Sequence, residues 1–333
     1  MSRTSQEIRL AARPQGRPDA STWELATTEV AEPGPGEFLV ELEQISLDPA
    51  MRGWLNDVRS YLPPVKIGAV MRAFGAGTVV ASQHDDFAVG DVVSGTFGVR
   101  EYAISDGTGV AHLDLDVAPM STWLGALGMP GMTAWFGLED VGRAQPGDTV
   151  LVSAAAGAVG STVAQLAKAK GCRVIGVAGG PDKVAWLREL GLDEVIDRRD
   201  GDLLRQVRRA APDGVDVYFD NVGGELLDAA LANLAHGARI AICGAISTYN
   251  DETLAEGPRR YMALLVFRAS MHGFLVMDYE DRYGEAIAGI GELIRDGRLV
   301  ATETILEGGV AAFPDALLGL FDGVNTGKLL LKV

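Results

Sequence analysis

Cysteine and histidine are scarce: the 333-residue chain has two Cys and four His. Two thiols cannot make the four-cysteine set of a structural zinc, and His84, His112, His236 and His272 show no metal-ligand spacing, so no metal is expected. Cys172 and Cys243 each stand beside or within a predicted strand and read as buried thiols rather than a disulfide. Basic charge is short as well. With 29 Lys and Arg against 45 Asp and Glu, the net charge of −16 leaves no broad basic face for nucleic-acid phosphates, and nucleic acid is not expected as a partner. Long apolar runs are missing: no stretch approaches the roughly 20 residues of a membrane span. Met1 to Arg17 mixes Arg and Glu with isolated apolar residues, unlike a signal peptide. A cytoplasmic chain away from membranes is the expectation.

What is present is 47% hydrophobic residues and 42 glycines, a composition of packed cores joined by tight turns, in a length that suits two domains. From Gly36 to about Gly125 short apolar runs (Phe38-Leu39-Val40, Thr78-Val79-Val80, Val92-Val93, Tyr102-Ala103-Ile104) alternate with Gly, Pro and Asp, and read as a closed or partly closed barrel. After Val150 strands and helices alternate: a strand at Leu151-Val152, a helix over Val159–Lys170, a strand over Arg173–Val177 and a helix over Pro181–Leu190 are followed by further pairs as far as Ile240–Cys243. That texture predicts a parallel sheet with helices on both faces. Beyond a helix at about Tyr283–Asp296 the segments read as strands again, ending in Lys328–Val333, and the simplest closure returns this tail to the first lobe with a cleft between lobes.

The sharpest local signal is Ser153-Ala154-Ala155-Ala156-Gly157-Ala158-Val159-Gly160, between a strand and a helix. Small residues let the backbone approach a pyrophosphate, and the helix start offers unpaired N–H groups. The bland alternative is a close-packed strand-to-helix turn. An NAD site usually places Asp or Glu about 20 residues on, to bind the ribose 2′-hydroxyl. Val177-Ala178-Gly179-Gly180 stand there instead, so nothing repels a 2′-phosphate and Lys183 can reach one, which favours NADPH over NADH. Arg198 offers a second cation or a surface to stack on adenine. Solvated surface charge is the plain alternative for both residues.

Ser46-Leu47-Asp48-Pro49-Ala50-Met51-Arg52, Tyr61-Leu62-Pro63-Pro64, Gly128-Met129-Pro130-Gly131-Met132-Thr133-Ala134, Asp220-Asn221-Val222-Gly223-Gly224, Cys243–Asn250 and Gly273-Phe274-Leu275-Val276 span nearly the whole chain. With these segments the chain resembles the zinc-independent medium-chain dehydrogenases/reductases of the leukotriene B4 12-hydroxydehydrogenase and prostaglandin reductase branch, which includes alkenal/one and curcumin reductases. It departs from that pattern at Ala50 and Arg198, where the family often has Tyr. The resemblance implies an α/β protein: a Rossmann doubly wound parallel sheet domain over 128–298 and a GroES-like, β-barrel-type catalytic domain over 1–127 and 299–333. It implies that Gly157, Ala158, Val159 and Gly160 cradle the pyrophosphate and Lys183 the 2′-phosphate. Thr133, Asn221, Cys243, Gly244, Ala245, Ile246, Ser247, Tyr249, Phe274, Leu275, Val276 and Asn325 would line the rest of the cofactor. A homodimer is implied as well.

Without a metal, hydride transfer to an isolated ketone needs another electrophile, whereas conjugate reduction of an α,β-unsaturated ketone or aldehyde places the negative charge on an enolate oxygen that one donor can meet. A Tyr phenol or the cofactor's ribose hydroxyl can be that donor; by the resemblance Tyr249 is the first candidate phenol and Tyr61 the second, each with a packed, locally satisfied phenol as the alternative. Met51, Tyr61 and Met132 would edge an apolar pocket for a small hydrophobic enone or enal. The rival expectations are quinone reduction with the same cofactor and a non-catalytic NADPH sensor.

Overall fold

The computed structural model describes residues 3–253 and 255–333. The chain divides into two units: Met1–Leu124 with Tyr249–Glu252 and Glu303–Val333, and Gly125–Thr248 with Thr253–Thr302.

In the first unit, β1 (Thr4–Leu10) and β2 (Trp23–Glu29) form an antiparallel pair with Ile8 opposite Leu25. They are followed by β3 (Phe38–Leu47), helix α1 (Ala50–Gly53), β4 (Gly75–Ser82), β5 (Val92–Gly95), β6 (Tyr102–Ser105), β7 (Ala111–His112) and helix α2 (Met120–Trp123). The second unit then runs α3 (Met129–Phe136), β8 (Thr149–Val152), α4 (Ala158–Ala169), β9 (Arg173–Ala178), α5 (Pro181–Glu189), β10 (Glu194–Asp197), α6 (Leu203–Ala210), β11 (Val215–Asp220), α7 (Gly224–Leu231), β12 (Leu234–Ile242), α8 (Ala263–Phe267), β13 (Ser270–Gly273) and α9 (Tyr283–Arg295). The first unit closes with β14 (Glu303–Leu306), α10 (Phe313–Asp322) and β15 (Lys328–Lys332).

The expected barrel is a seven-stranded, mainly antiparallel sheet in the order β14-β15-β3-β4-β5-β7, with β6 also paired to β3. Strand β3 is its spine. Its first half pairs with β6, its second half with β15, and β4 runs along its other edge. The triplet Leu329-Leu330-Leu331 is at most 1% exposed, as expected of a strand covered on both faces.

One expectation needs correction. The tail after α9 is not strand-like throughout, because α10 lies between β14 and β15; Pro314 in its first turn and Gly323 with φ +75° at its end are the start and stop signals that mark it. Met1 to Arg17, read only for what it lacked, carries strand β1. Its polar Ser5 and Glu7 are buried at 3% and 5% exposure, which hid the strand from a hydrophobicity reading.

The second unit is built on a six-stranded, all-parallel sheet in the order β10-β9-β8-β11-β12-β13. Consecutive strands β8, β9 and β10 run outward to one side and β11, β12 and β13 to the other. The order therefore reverses between β8 and β11, and in such sheets ligands bind outside the carboxyl ends at that point. Val150, Leu151 and Val152 of β8 are fully buried, and Leu151, Ile175, Tyr218, Leu226, Leu231 and Ile240 share one core.

Candidate active site

The carboxyl end of β8 leads through Ser153–Gly157 into α4. Gly157 is the N-cap and gives no side-chain cap to the helix, so the first-turn N–H groups are left for an anion. A β-carbon on Gly160 would stand 2.2 Å from the Ala154 carbonyl oxygen, so only glycine lets the helix start lie this close to the turn.

Cations gather beside it, at the ends of β9 and β10. Arg198 and Arg199 fold over the Gly179-Gly180 turn: β-carbons there would meet Arg198 Nε at 2.8 Å and Arg199 Nη1 at 2.9 Å. Burial, then Arg198 and Arg199, pull the Lys183 ammonium below its ordinary pKa. None of the three forms an ion pair among the described residues. Asp197 instead accepts from the backbone N–H groups of Gly180 at 3.0 Å and Arg199 at 2.9 Å. Three crowded cations with no close ion pair among the described residues, Asp197 being their nearby carboxylate, stand next to an uncapped helix start and fit a dinucleotide bearing a 2′-phosphate. Sequence reasoning singled out Lys183 and Arg198 but missed Arg199, although it adjoins Arg198.

Across the switch point the ends of β11 and β12 are laced together. The backbone N–H groups of Cys243 and Gly244 donate to the Asp220 carbonyl at 2.8 and 3.0 Å, that of Ile246 to Asn221 at 3.1 Å, and that of Ser247 to Val222 at 3.2 Å. Asn221 is fixed by Ser153, which accepts at Oγ from the Asn221 N–H at 2.7 Å and at its carbonyl from Nδ2 at 2.8 Å. Behind it lies Asp220, missed by sequence reasoning. Its Oδ1 accepts from the Tyr218 hydroxyl at 2.8 Å and from the N–H groups of Val222 and Gly223, both at 2.9 Å. Burial raises the Asp220 pKa, and burial beside Asp220 pushes the Cys243 thiol up to about 12.

Lys183, Arg198, Asn221 and the Cys243–Ser247 loop thus share the carboxyl edge of one sheet with Gly157–Gly160. Phe274, Leu275 and Val276 follow β13 on that edge, Phe274 standing edge-on to Phe219 with centroids 6.1 Å apart. Thr133 lies on α3, its hydroxyl donating to the Met129 carbonyl at 2.7 Å. Met132, on the same helix, is 7% exposed and packs with Phe136 and Ala286. The remaining candidates belong to the first unit. Met51 is fully buried against Ile45 and Leu47, Asn325 is buried and donates from Nδ2 to the Gly327 carbonyl at 2.7 Å, and Tyr61 is 47% exposed. Tyr249 begins the Tyr249–Glu252 stretch that belongs to the first unit. Among the described residues no three His, Cys, Asp or Glu side chains gather as metal ligands, and no helix is long and apolar enough to cross a membrane.

A parallel sheet with a phosphate-binding helix start and a cation cluster at its carboxyl edge defines a nicotinamide-dinucleotide-binding protein. The comparisons agree. Residues 6–113 match the family model described as the N-terminal domain of oxidoreductase, and residues 158–291 match that of zinc-binding dehydrogenase. NADPH-dependent curcumin reductase of Escherichia coli is 41% identical over 97% of this chain and 95% of its own length. The NADP-dependent 2-alkenal reductase of Nicotiana tabacum is 40% identical over 90% of this chain and 88% of its own. The crystal structure of CurA from Vibrio vulnificus in complex with NADPH superposes with a TM-score of 0.94 at 42% identity, covering 98% of this chain and 99% of that one. The chain belongs to the zinc-independent medium-chain dehydrogenases/reductases of the curcumin, prostaglandin and alkenal reductase branch, a family of NADP-dependent oxidoreductases.

Proposed function

We propose that this enzyme reduces the C=C bond of α,β-unsaturated ketones and aldehydes with NADPH. The observation that carries the cofactor choice is the crowding of Lys183, Arg198 and Arg199, none in a close ion pair among the described residues, at the edge where a 2′-phosphate falls. The relatives named for curcumin and 2-alkenal reduction support the substrate class. NADPH supplies a hydride to the β-carbon of the substrate. The chain's own residues do the rest. The start of α4 holds the pyrophosphate, and the cation cluster neutralises the 2′-phosphate. Asn221, clamped by Ser153, and the Cys243–Ser247 loop hold the nicotinamide half, with Phe274, Leu275, Val276, Thr133 and Asn325.

Charge that develops on the substrate oxygen needs a donor already in place, and the enolate then takes a proton at the α-carbon, from that donor or from water, to give the saturated product. The Tyr249 phenol is the first candidate for that donor and Tyr61 the second. Of the three pocket candidates Tyr61 is the exposed one and is assigned to the substrate, whereas Met51 and Met132 are packed in the cores of their own units. The reading includes a homodimer in the cytoplasm. β13 ends the parallel sheet, and Tyr261, Met262, Leu265 and Val266 nearby are 51 to 69% exposed, an edge and an apolar face that a second copy can cover about a two-fold axis. Steady-state NADPH oxidation with an aliphatic enone, an enal and a quinone tests the reaction class. Higher kcat/KM on the enone or enal is expected, and quinone reduction alone would overturn it.

A further inference from the structure

Tyr249–Glu252 belong to the first unit, although Thr248 and Thr253 on either side belong to the second. Asn250 and Glu252 of this stretch lie against a loop of the first unit that has no regular structure of its own. Gly16 sits there with φ +69°, and a β-carbon on it would stand 3.2 Å from Glu252 Cγ, 3.3 Å from Glu252 Oε1 and 3.5 Å from the Asn250 carbonyl oxygen. The left-handed backbone there favours glycine, and a side chain would push the Glu252 side chain aside by a few tenths of an ångström. Asn250 Oδ1 is buried and accepts no hydrogen bond among the described residues, so this side chain's carbonyl does not help to tie the stretch down.

The Gly16 loop is pinned from three sides. Arg13 Nη1 donates to the Leu55 carbonyl at 2.6 Å. Arg17 makes a two-pronged contact with Asp322 at the end of α10, at 2.9 and 2.5 Å. The third pin is Arg52 of α1, only 2% exposed, whose Nε and Nη2 donate to the Gly16 carbonyl at 3.1 and 2.6 Å while Nη1 donates to Asn56 Oδ1 at 2.7 Å. Among the described residues Arg52 has no ion-pair partner, and burial lowers its pKa. A guanidinium buried against neutral acceptors alone is costly to desolvate, and removing either partner exposes that cost. Such an arrangement holds the Gly16 carbonyl in place.

We infer that Arg52 and Gly16 are positioning residues for the reaction: through the Gly16 turn, the buried arginine fixes the Tyr249–Glu252 stretch and with it the Tyr249 side chain. This rests on the role proposed for Tyr249, and the test separates the two. Gly16→Ala adds a methyl group against Glu252 and strains the turn; Glu252→Ala removes the other half of the contact and guards against a Gly16 variant that fails to fold. Arg52→Lys can retain one bond to the Gly16 carbonyl. Hydrogen exchange of residues 249–252 is followed in each variant, with and without NADPH, beside kcat, KM and the NADPH Kd.

Faster exchange confined to 249–252, with kcat lowered on the order of tenfold to a hundredfold and NADPH affinity little changed, is expected for Gly16→Ala. Smaller effects of the same kind are expected for Glu252→Ala and Arg52→Lys. In a Tyr249→Phe background the Gly16→Ala loss should largely vanish. Unchanged exchange at 249–252 in both Gly16→Ala and Glu252→Ala would overturn the inference, as would equal losses in the two backgrounds. Faster exchange together with a fully active Tyr249→Phe would leave the positioning of the stretch standing and remove the Tyr249 phenol from the proposed function.

Discussion

The Tyr218 hydroxyl donates to Asp220 Oδ1 at 2.8 Å, and neither side chain is more than 1% exposed. A carboxyl group this deep in the sheet would be hard to keep if it did not organise something. It collects the N–H groups of Val222 and Gly223 and so shapes the turn that presents Asn221. Burial raises its pKa above the ordinary 3.8, which means the folded protein holds this proton more tightly than the unfolded chain. Its contribution to stability is therefore present below about 3.8 and is lost as pH rises through the raised value. Urea unfolding of the protein and of Asp220→Asn between about pH 4 and about pH 8 should show the stability gap moving in favour of the Asn variant as pH rises. A gap that stays constant would contradict the shift.

Lys183→Ala should weaken NADPH far more than NADH, since only NADPH carries the 2′-phosphate. Loss of a charge-assisted contact costs about 1.5–3 kcal/mol, or roughly ten- to a hundredfold in Kd. Arg199→Ala should show the same selectivity to a smaller degree, because Lys183 and Arg198 remain. As the Lys183 pKa is lowered, its charge is lost at lower pH than that of a free lysine, and NADPH affinity should fall correspondingly early on the alkaline side. Calorimetric titration with both cofactors checks this; equal losses for NADPH and NADH would assign Lys183 to the fold.

Both thiols should be inert in the folded protein. Burial pushes Cys172 up to about 11 and Cys243 up to about 12, and the thiolate is the reactive form. Iodoacetamide near neutral pH should label neither until the protein is unfolded in urea, as mass spectrometry of the intact chain would show. Cys243 is only half-buried, so its raised pKa rather than loop closure is what protects it, and rapid labelling of native Cys243 would contradict that shift.

Leu265→Asp and Val266→Asp place charge in the apolar face beside β13, where the two residues are 69% and 60% exposed. If a second copy covers this face, either change should convert a dimer to monomer in sedimentation, with the Tm of the monomer reporting what association contributed. A wild-type monomer at micromolar concentration would remove the dimer from the account.

The parallel sheet was legible because its helices and strands change hydrophobic period at each Gly- or Pro-marked turn, as at Pro181 and Gly191 around α5. Lys183 stands out in the sequence through an absence, the missing acid after β9. Asp220 was not, because a carboxylate is read as surface unless its burial is known, and only the fold puts Tyr218 and the Val222 and Gly223 amides around it. Strand β1 was hidden for a related reason: it buries Ser5 and Glu7 alongside Ile8 and Leu10. The link from Arg52 to Gly16 spans 36 positions and uses a backbone carbonyl, which no side-chain pattern records.

The central claim is conjugate reduction with hydride delivered to the β-carbon. The most direct measurement supplies NADPH deuterated at its transferable position with an acyclic enone, and identifies the product by NMR. A saturated ketone carrying one deuterium on the carbon β to the carbonyl is the predicted result. An allylic alcohol with deuterium on the carbinol carbon, or no turnover with any enone or enal while NADPH binds tightly, would contradict it.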